Sequence, residues 1–276
     1  MSPNQLQQYL NRVDLTLSGV DGGVVSSRFL ASYAHLTQLQ KAQHLTIPFE
    51  NFDVFAGEAI SLEPEVRFDK LVNQSRGGYC FEVNALFLEV LSSLGYHAKP
   101  KLARVHLADT PSGRSHQVTL VTIKDEQWVV DVGFGSNTPR SPIKLVANIE
   151  QQADFQVFRF IEVEDFGYLL QRRVEEGWQD LYSLDMTFVG EGDIEYANHY
   201  TSTSTNTVFT QSMTAALATK EGSVTLLDTT LRCRHCDQEV WALDLKQDHY
   251  FEVIEKEMGI VFPEEKRAHV LARLYP

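Results

Sequence analysis

The sequence of 276 residues has no long hydrophobic run and no excess of basic residues. No segment approaches the roughly 18 consecutive apolar residues that span a bilayer, and residues 1–14 lack the basic and apolar regions of a signal peptide. Lys and Arg total 24 against 37 Asp and Glu, which gives a formal net charge of −13. Because nucleic acids and anionic membranes bind basic surfaces, we expect neither as a partner, and we expect a cytoplasmic protein.

Cysteine is also scarce, with three residues, Cys80, Cys233 and Cys236. A small and odd number in a chain of this length does not fit a disulfide framework, so free thiols are expected. Cys233 and Cys236 enclose His235 and look like half of a zinc site or a redox motif. The sequence has no second cysteine pair to complete such a site. We therefore interpret them as hairpin cysteines and expect no metal.

What the sequence does contain is the composition of an ordinary globular protein, with 43% hydrophobic and 22% charged residues. Its length allows roughly two domains or one large one. Helical periodicity dominates the first third, short β-like runs follow, and a mixed pattern closes the chain. We therefore expect an α+β protein with regions 1–95, 96–190 and 191–276.

The hydrophobic pattern places individual helices and strands. Segment 79–94 carries one broad apolar face and is followed by Gly95 as a helix terminator, and 26–44 has apolar residues three and four apart, with Ser26 and Ser27 as candidate caps. Turn signals separate the β-like runs, so neighbouring runs are expected to pair antiparallel. These runs are 101–107, 116–123, 127–132, 155–163, 168–174 and 178–182. In the last third, strands are expected at 223–227 and 229–233, and helices at 193–200, 246–258 and 264–274.

Cys80 is the candidate nucleophile. It lies in the first turn of helix 79–94, where the helix N-terminus favours an anion and therefore the nucleophilic thiolate. Gly77 and Gly78 precede it and let the backbone approach whatever is attacked. A lone cysteine on a helix can equally be a small buried hydrophobe, so this residue by itself leaves both interpretations open.

His116 and Asp131 are candidates for the base and for the group that orients it. His116 opens a β-like run after a polar loop, and Asp131 lies between apolar neighbours at the end of run 127–132. A carboxylate there costs several kcal/mol unless it is paired, and holding a histidine Nδ1–H would satisfy it. The alternatives are a half-exposed strand histidine and an acid that caps the turn before Gly133.

Four motifs together resemble the arylamine N-acetyltransferase family. They are Arg-Gly-Gly-Tyr-Cys-Phe-Glu-Val-Asn at 76–84, Ile-Pro-Phe-Glu-Asn at 47–51, the histidine that opens 116–121, and Asp-Val-Gly-Phe-Gly at 131–135. Their order and spacing fit this family. The cysteine and the histidine are much closer in sequence than the roughly 130 to 150 residues typical of a papain-like protease.

The resemblance implies an N-terminal helical bundle that carries the cysteine, a central antiparallel β-barrel and a C-terminal αβ lid, around a cysteine-protease-like Cys-His-Asp core. It implies a triad of Cys80, His116 and Asp131. It also implies that acetyl-CoA acetylates the cysteine and that an arylamine, arylhydrazine or hydrazide then accepts the acetyl group. The matching positions place Phe134 in the acceptor pocket, and Gly133 and Gly135 in a tight turn near the CoA pyrophosphate.

Several alternatives stay open. Residues 205–206 are Thr-Asn where the family often has a proline, so no contact to the CoA adenosine is assigned. Arg76 and Glu82 either tune the thiolate or form a structural ion pair that braces the helix start. Other functions that fit are an amide synthase or another acyltransferase, a transglutaminase- or papain-type thiol hydrolase, or a redox or zinc module at Cys233 and Cys236.

Overall fold

Nine α-helices form within residues 1–236 and 238–276, which are the residues that the computed structural model describes. No helix in this part of the chain is long and apolar enough to cross a membrane. The helices are α1 (Pro3–Arg12), α2 (Tyr33–Thr46), α3 (Phe52–Phe55), α4 (Pro64–Phe68), α5 (Cys80–Ser93), α6 (Glu191–Thr203), α7 (Val208–Gln211), α8 (Tyr250–Met258) and α9 (Glu264–Leu274).

The same residues form fifteen β-strands, of which the first two make a small hairpin. The strands are β1 (Val20–Asp21), β2 (Val24–Val25), β3 (Phe49–Glu50), β4 (His97–Val105), β5 (Arg114–Ile123), β6 (Glu126–Val130), β7 (Ile143–Lys144), β8 (Gln151–Ala153), β9 (Gln156–Val163), β10 (Gly167–Val174), β11 (Gly177–Leu184), β12 (Thr214–Ala218), β13 (Gly222–Leu227), β14 (Thr230–His235) and β15 (Gln238–Asp244).

The N-terminal region packs around α5, which the sequence predicted to within a residue at each end. Gly95 follows its C-terminus with φ of +79°, the left-handed conformation expected of a helix terminator. The apolar face of α5 packs against α1 and α2 in one buried cluster. The predicted start of α2 was wrong, because the cap is Ser32, whose Oγ accepts from His35 N at 3.3 Å, and not Ser26 or Ser27.

Strands β4 to β11 form an antiparallel sheet in the order β7-β6-β5-β4-β11-β10-β9-β8, which curls into a nearly closed barrel. All six predicted β-like runs occur in it as strands, with ends shifted by a few residues. β5 lies between β4 and β6 and contacts α5, so residues 116–121 are all buried. The α+β fold class is confirmed, and the barrel presents the start of β5 and the end of β6 to α5.

A second sheet, in the order β15-β14-β13-β12-β3, shares a hydrophobic core with α8 and α9. Its edge strand β3 comes from the N-terminal region and pairs with β12, with Phe49 opposite Ala216. β12 and β15 were not predicted from the sequence. β12 is alanine-rich and β15 is mostly exposed, so neither shows a clear apolar alternation. Since β3 joins the first and last regions, the boundaries at residues 95 and 190 stay predictions.

Replacing Asn51 with alanine is expected to lower the free energy of unfolding by about 2–4 kcal/mol. Asn51 is buried next to β3; its Nδ2 donates to the carbonyls of Phe209 (2.7 Å) and Ser212 (2.8 Å), and its Oδ1 accepts from Thr214 N (2.7 Å). The substitution therefore leaves three backbone groups without this partner. Urea unfolding measures the loss. Asn11→Ala, at an exposed position on α1, is the control and should lower the free energy of unfolding by less than about 0.5 kcal/mol. Equal losses in the two variants would contradict the prediction.

Candidate active site

Cys80 is the first residue of α5, and the chain reaches it through a space that only glycine fits. A Cβ on Gly77 would lie 2.3 Å from the carbonyl oxygen of Pro48, and one on Gly78 would lie 2.8 Å from Glu82 Cβ. Both distances are far below ordinary van der Waals contact, so the two glycines let the loop pack under the helix. Cys80 is 2% exposed, and its Sγ lies 3.8 Å from the carbonyl oxygen of Ser115, the residue before His116.

The structure brings His116 and Asp131 together beside Cys80. His116 is the third residue of β5, and Asp131 follows the end of the neighbouring strand β6. His116 Nε2 lies 2.7 Å from Asp131 Oδ2, and the two residues are 3% and 1% exposed. The Cys80 thiol lies next to the residue before His116, and its interaction with His116 raises the pKa of the imidazole. The three residues predicted from the sequence therefore form one buried Cys-His-Asp group.

The expected histidine geometry was wrong in one detail, because Asp131 binds Nε2 and not Nδ1. Nε2 is the ring nitrogen farther from the backbone, and this end of the ring meets Asp131. Cys80 approaches from the side of the Ser115 carbonyl, close to the main chain of His116. Nδ1 is therefore the nitrogen left to exchange a proton with the thiol.

Asp131 is held by more than the histidine. Its Oδ1 accepts from Asn84 Nδ2 at 3.0 Å and from Gly133 N at 2.8 Å. Burial would raise the pKa of Asp131, but the positive charge of His116 and these hydrogen bonds lower it below its ordinary value. Asp131 is thus a carboxylate at neutral pH. Asn84 was not singled out from the sequence, although it closes the motif at 76–84.

The same effects act on the pKa of His116 with the opposite signs. Burial would lower it, whereas the negative charge of Asp131, the hydrogen bond to it and the contact with Cys80 together raise the pKa to about 10. His116 is therefore a cation at neutral pH, flanked by Asp131 on one side and the thiol on the other. Such a cation stabilises a neighbouring thiolate and can return its proton to a leaving group.

Two aromatic rings surround the histidine. Phe134 lies 4.7 Å from the His116 ring and Tyr182 lies 5.1 Å from it, measured between ring centroids. Phe134 is partly exposed, whereas Tyr182 is fully buried, and the assignment of Phe134 to the acceptor pocket stays a prediction. Tyr182 lies on β11, remote in sequence from the other site residues, and its strand pattern carried no signal of this position.

The two predicted CoA glycines differ in their surroundings. A Cβ on Gly133 would lie 2.6 Å from Val83 Cγ2 and 3.1 Å from Cys80 Cα, so Gly133 allows α5 to pack against the end of β6. Its N–H is already bonded to Asp131. Gly135 has φ of +59° and no atom within 4 Å of an added Cβ. Gly135 is thus open to a ligand, and the assignment of both glycines to CoA stays a prediction.

Two cavities lie near the Cys-His-Asp group. A cleft of about 250 Å³ runs between α6 and the segment before His116, and it is lined by Leu102, Gly113, Arg114, Ser115, Phe188, Val189, Asp193, Tyr196, Ala197 and Tyr200. Leu102 and Val189 also pack in the cluster that contains Cys80, so these two residues border both the cleft and the surroundings of the thiol. A smaller cavity of about 20 Å³ lies beside Gly135 and is lined partly by His44 and Arg140.

Arg76 and Glu82 do not form the ion pair considered from the sequence. Arg76 Nη2 lies 2.8 Å from Glu50 Oε1, and Glu82 Oε1 lies 2.7 Å from Lys70 Nζ. Glu82 folds back over Gly78, and its Oε2 accepts from the backbone N–H of Tyr79 at 3.1 Å. Each charge therefore braces the start of α5 through a different partner.

Cys233 and Cys236 lie in the hairpin of β14 and β15, as interpreted from the sequence. Cys233 is buried opposite Trp241, and Cys236 is exposed in the turn; both are free thiols. Residue 237 lies outside the described residues. In the rest of the chain, no group of three or more His, Cys, Asp or Glu side chains is placed to hold a metal ion.

Comparisons with known proteins identify relatives of this chain. The N-acetyltransferase family model matches residues 32–267. An arylamine N-acetyltransferase of Mycobacterium bovis is 36% identical over 193 residues, which cover 67% of this chain and 68% of that protein. The chain belongs to the arylamine N-acetyltransferase family.

Two further relatives of the family are informative. A protein of Salmonella typhimurium named arylamine N-acetyltransferase / N-hydroxyarylamine O-acetyltransferase is 38% identical over 168 residues. The match covers 60% of this chain and 59% of that protein, which is less than two thirds of its length. The structure of a Mycobacterium marinum arylamine N-acetyltransferase in complex with CoA superposes with a TM-score of 0.86 at 27% identity and covers 98% of each chain.

Gly133→Ala is expected to destabilise the protein by about 1–3 kcal/mol and to slow any reaction of Cys80, because its Cβ would push against α5 at Cys80 Cα. Thermal unfolding and the rate of Cys80 alkylation measure the two effects. Gly192→Ala on α6 is the matched control, since nothing lies within 4 Å of its added Cβ, and it should be neutral or slightly stabilising. An unchanged alkylation rate in Gly133→Ala would contradict the packing role.

Asp131→Asn is expected to lower the pKa of His116 from about 10 to its ordinary value or below, because burial then outweighs the remaining contacts. NMR titration of the imidazole measures it. The raised folded-state pKa also means that the pair's contribution to stability is complete below about pH 6.5 and is lost as the pH rises through about 10. Asp244→Asn, on exposed β15, serves as the control and should leave the titration unchanged.

Proposed function

We propose that the protein transfers an acetyl group from acetyl-CoA to an arylamine, arylhydrazine or hydrazide through an acetyl-Cys80 intermediate. The observation that carries the proposal is the buried group of Cys80, His116 and Asp131: His116 Nε2 lies 2.7 Å from Asp131 Oδ2, and Cys80 lies beside the start of the same strand at the N-terminus of a helix. Membership of the arylamine N-acetyltransferase family supports the choice of donor and acceptor.

In the first half-reaction, the Cys80 thiolate attacks the carbonyl carbon of the acetyl thioester. A C–S bond to Cys80 forms and the C–S bond to CoA breaks. His116 donates its Nδ1 proton to the departing CoA sulfur, which leaves as the free thiol. The histidine is then neutral, and Asp131 holds it through Nε2 so that Nδ1 still faces the cysteine.

In the second half-reaction, the acceptor nitrogen attacks the acetyl carbon. A C–N bond forms, the nitrogen gives its proton to Nδ1 of His116, and the C–S bond to Cys80 breaks to restore the thiolate–imidazolium pair. The cationic histidine stabilises the departing thiolate, so the enzyme thioester can react with a weakly basic arylamine. The same His116 thus acts as acid in one step and base in the other.

The surroundings of the thiol support separate places for the two substrates. The cleft beside α6 reaches Leu102 and Val189, which share a cluster with Cys80, and its lining combines aromatic and aliphatic side chains with Arg114 and Asp193. It suits a flat, mostly apolar acceptor with a polar group. Phe134 provides a ring against His116 on the other side. Gly135 has open space beside it, which is compatible with a phosphate-bearing donor that approaches the backbone.

Cys80→Ser is expected to abolish acetyl transfer, with at most about one thousandth of the activity left, while the fold is retained, because a hydroxyl is far less acidic than a thiol. Mass spectrometry after mixing with acetyl-CoA should find one acetyl group on Cys80 of the wild type. Cys233→Ala/Cys236→Ala is the control and should be acetylated normally. Continuous CoA release without an acceptor would instead indicate a thiol hydrolase. A preference for longer acyl donors over acetyl-CoA would indicate an amide synthase or a related acyltransferase.

A further inference from the structure

Six charged side chains meet beneath the first turn of α5. Glu50, Asp53, Lys70, Arg76 and Glu82 come from the N-terminal region and are all nearly buried. The sixth, Lys266, comes from α9 at the other end of the chain and is 30% exposed. The proposed mechanism uses none of them.

These groups form a continuous path from α9 to the residue before Cys80. Lys266 Nζ lies 3.4 Å from Asp53 Oδ1, and Asp53 Oδ2 lies 2.8 Å from Lys70 Nζ. Lys70 Nζ also lies 2.7 Å from Glu82 Oε1, and the other oxygen of Glu82 accepts from Tyr79 N. Each step is an ion pair or a charge-assisted hydrogen bond, and the last one fixes the helix turn at Cys80.

The charges of this cluster balance when Lys266 is included. Three carboxylates face three cations, and Arg76 pairs with both Glu50 and Asp53. Without Lys266, this nearly buried cluster at the start of α5 would carry one uncompensated negative charge, which is costly at low dielectric. Glu58 also contacts Lys266, at 3.6 Å, but it lies on the exposed side of the lysine.

We propose that Lys266 is a positioning residue for Cys80. By pairing with Asp53, Lys266 allows Lys70 to be shared between Asp53 and Glu82, and Glu82 holds the backbone of Tyr79, the residue before Cys80. Lys266 also keeps the cluster at the start of α5 neutral. If Lys266 is lost, Lys70 moves toward Asp53, and the ion pair between Lys70 and Glu82 weakens. Burial raises the pKa of Glu82 and Lys70 opposes this, which is consistent with a carboxylate that depends on its cation. The proposal rests on the proposed function in that Cys80 is the nucleophile.

The titratable groups that interact with Cys80 are His116 from the barrel and Tyr79 from its own helix turn. Asp131 and Tyr182 contact His116, and Glu82 contacts Tyr79. His116 and Asp131 are linked to each other and have no contact with the cluster of six in the described residues. A change at Lys266 therefore reaches the thiol through Glu82. The sign of the effect follows, because added negative charge or a looser helix turn disfavours the thiolate.

The test measures the pH profile of Cys80 alkylation by iodoacetamide, a readout that does not require acetyl transfer. Lys266→Met should raise the pH midpoint of alkylation by about 0.3–1 pH unit, whereas Lys266→Arg keeps the charge and should show the wild-type profile. Lys266→Met/Asp53→Asn removes one charge of each sign, so the cluster is neutral again and the midpoint should return most of the way. Lys256→Met removes an exposed lysine and should have no effect.

Arg273→Met separates charge from helix docking. Arg273 ties α9 to the carbonyls of Phe55 and Thr210 without belonging to the cluster, so its loss should lower the melting temperature and leave the alkylation midpoint unchanged. A midpoint that shifts equally in Arg273→Met, or that the double variant does not restore, would overturn the charge-balance role of Lys266. An unmoved midpoint in Lys266→Met would overturn it as well. A midpoint that shifts as expected in Lys266→Met, together with absent acetylation of wild-type Cys80, would instead count against the proposed function alone.

Discussion

The buried carboxylate of Asp131 is the interaction on which the rest of the site depends. Its oxygens bind His116 from β5, Asn84 from α5 and the backbone of Gly133, and its own carbonyl accepts from Gln40 of α2 at 3.1 Å. A charge in this position is tolerated because every neighbouring element supplies a donor or a cation. The same bonds that satisfy the carboxylate also set the distance between α5 and the barrel, and hence between the thiol and the imidazole.

The chain carries a net charge of −13, yet its buried charges are locally compensated. Asp131 faces the His116 cation, and the cluster beneath α5 contains equal numbers of acids and bases. The excess negative charge therefore lies on exposed residues, where water screens it. Because an isolated carboxylate near the thiol would oppose the thiolate, local neutrality beneath α5 matters more to the chemistry than the net charge of the whole protein.

Much of the fold and of the candidate site could be predicted from local sequence. α5 shows a broad apolar face between glycines, and the strands that carry His116 and Asp131 alternate with clear turn signals. Contacts between remote segments could not be predicted in this way. Arg76 pairs with Glu50 and not with Glu82, and Asp131 binds Nε2 and not Nδ1. The approach of β3 and β6 decides these partners, and no local sequence pattern indicates it.

Segments from both ends of the chain form the surroundings of Cys80. β3 precedes Cys80 in sequence but pairs with β12 of the last third, and Lys266 of α9 reaches Asp53 in the first. Such contacts close long loops, so forming them costs chain entropy that the formation of a local helix does not cost. The first turn of α5 can form early from its own sequence, but the charges beneath it are complete only when α9 has docked. The geometry of the thiol is therefore a property of the whole fold, even though all the residues that take part in the proposed chemistry lie between residues 80 and 131.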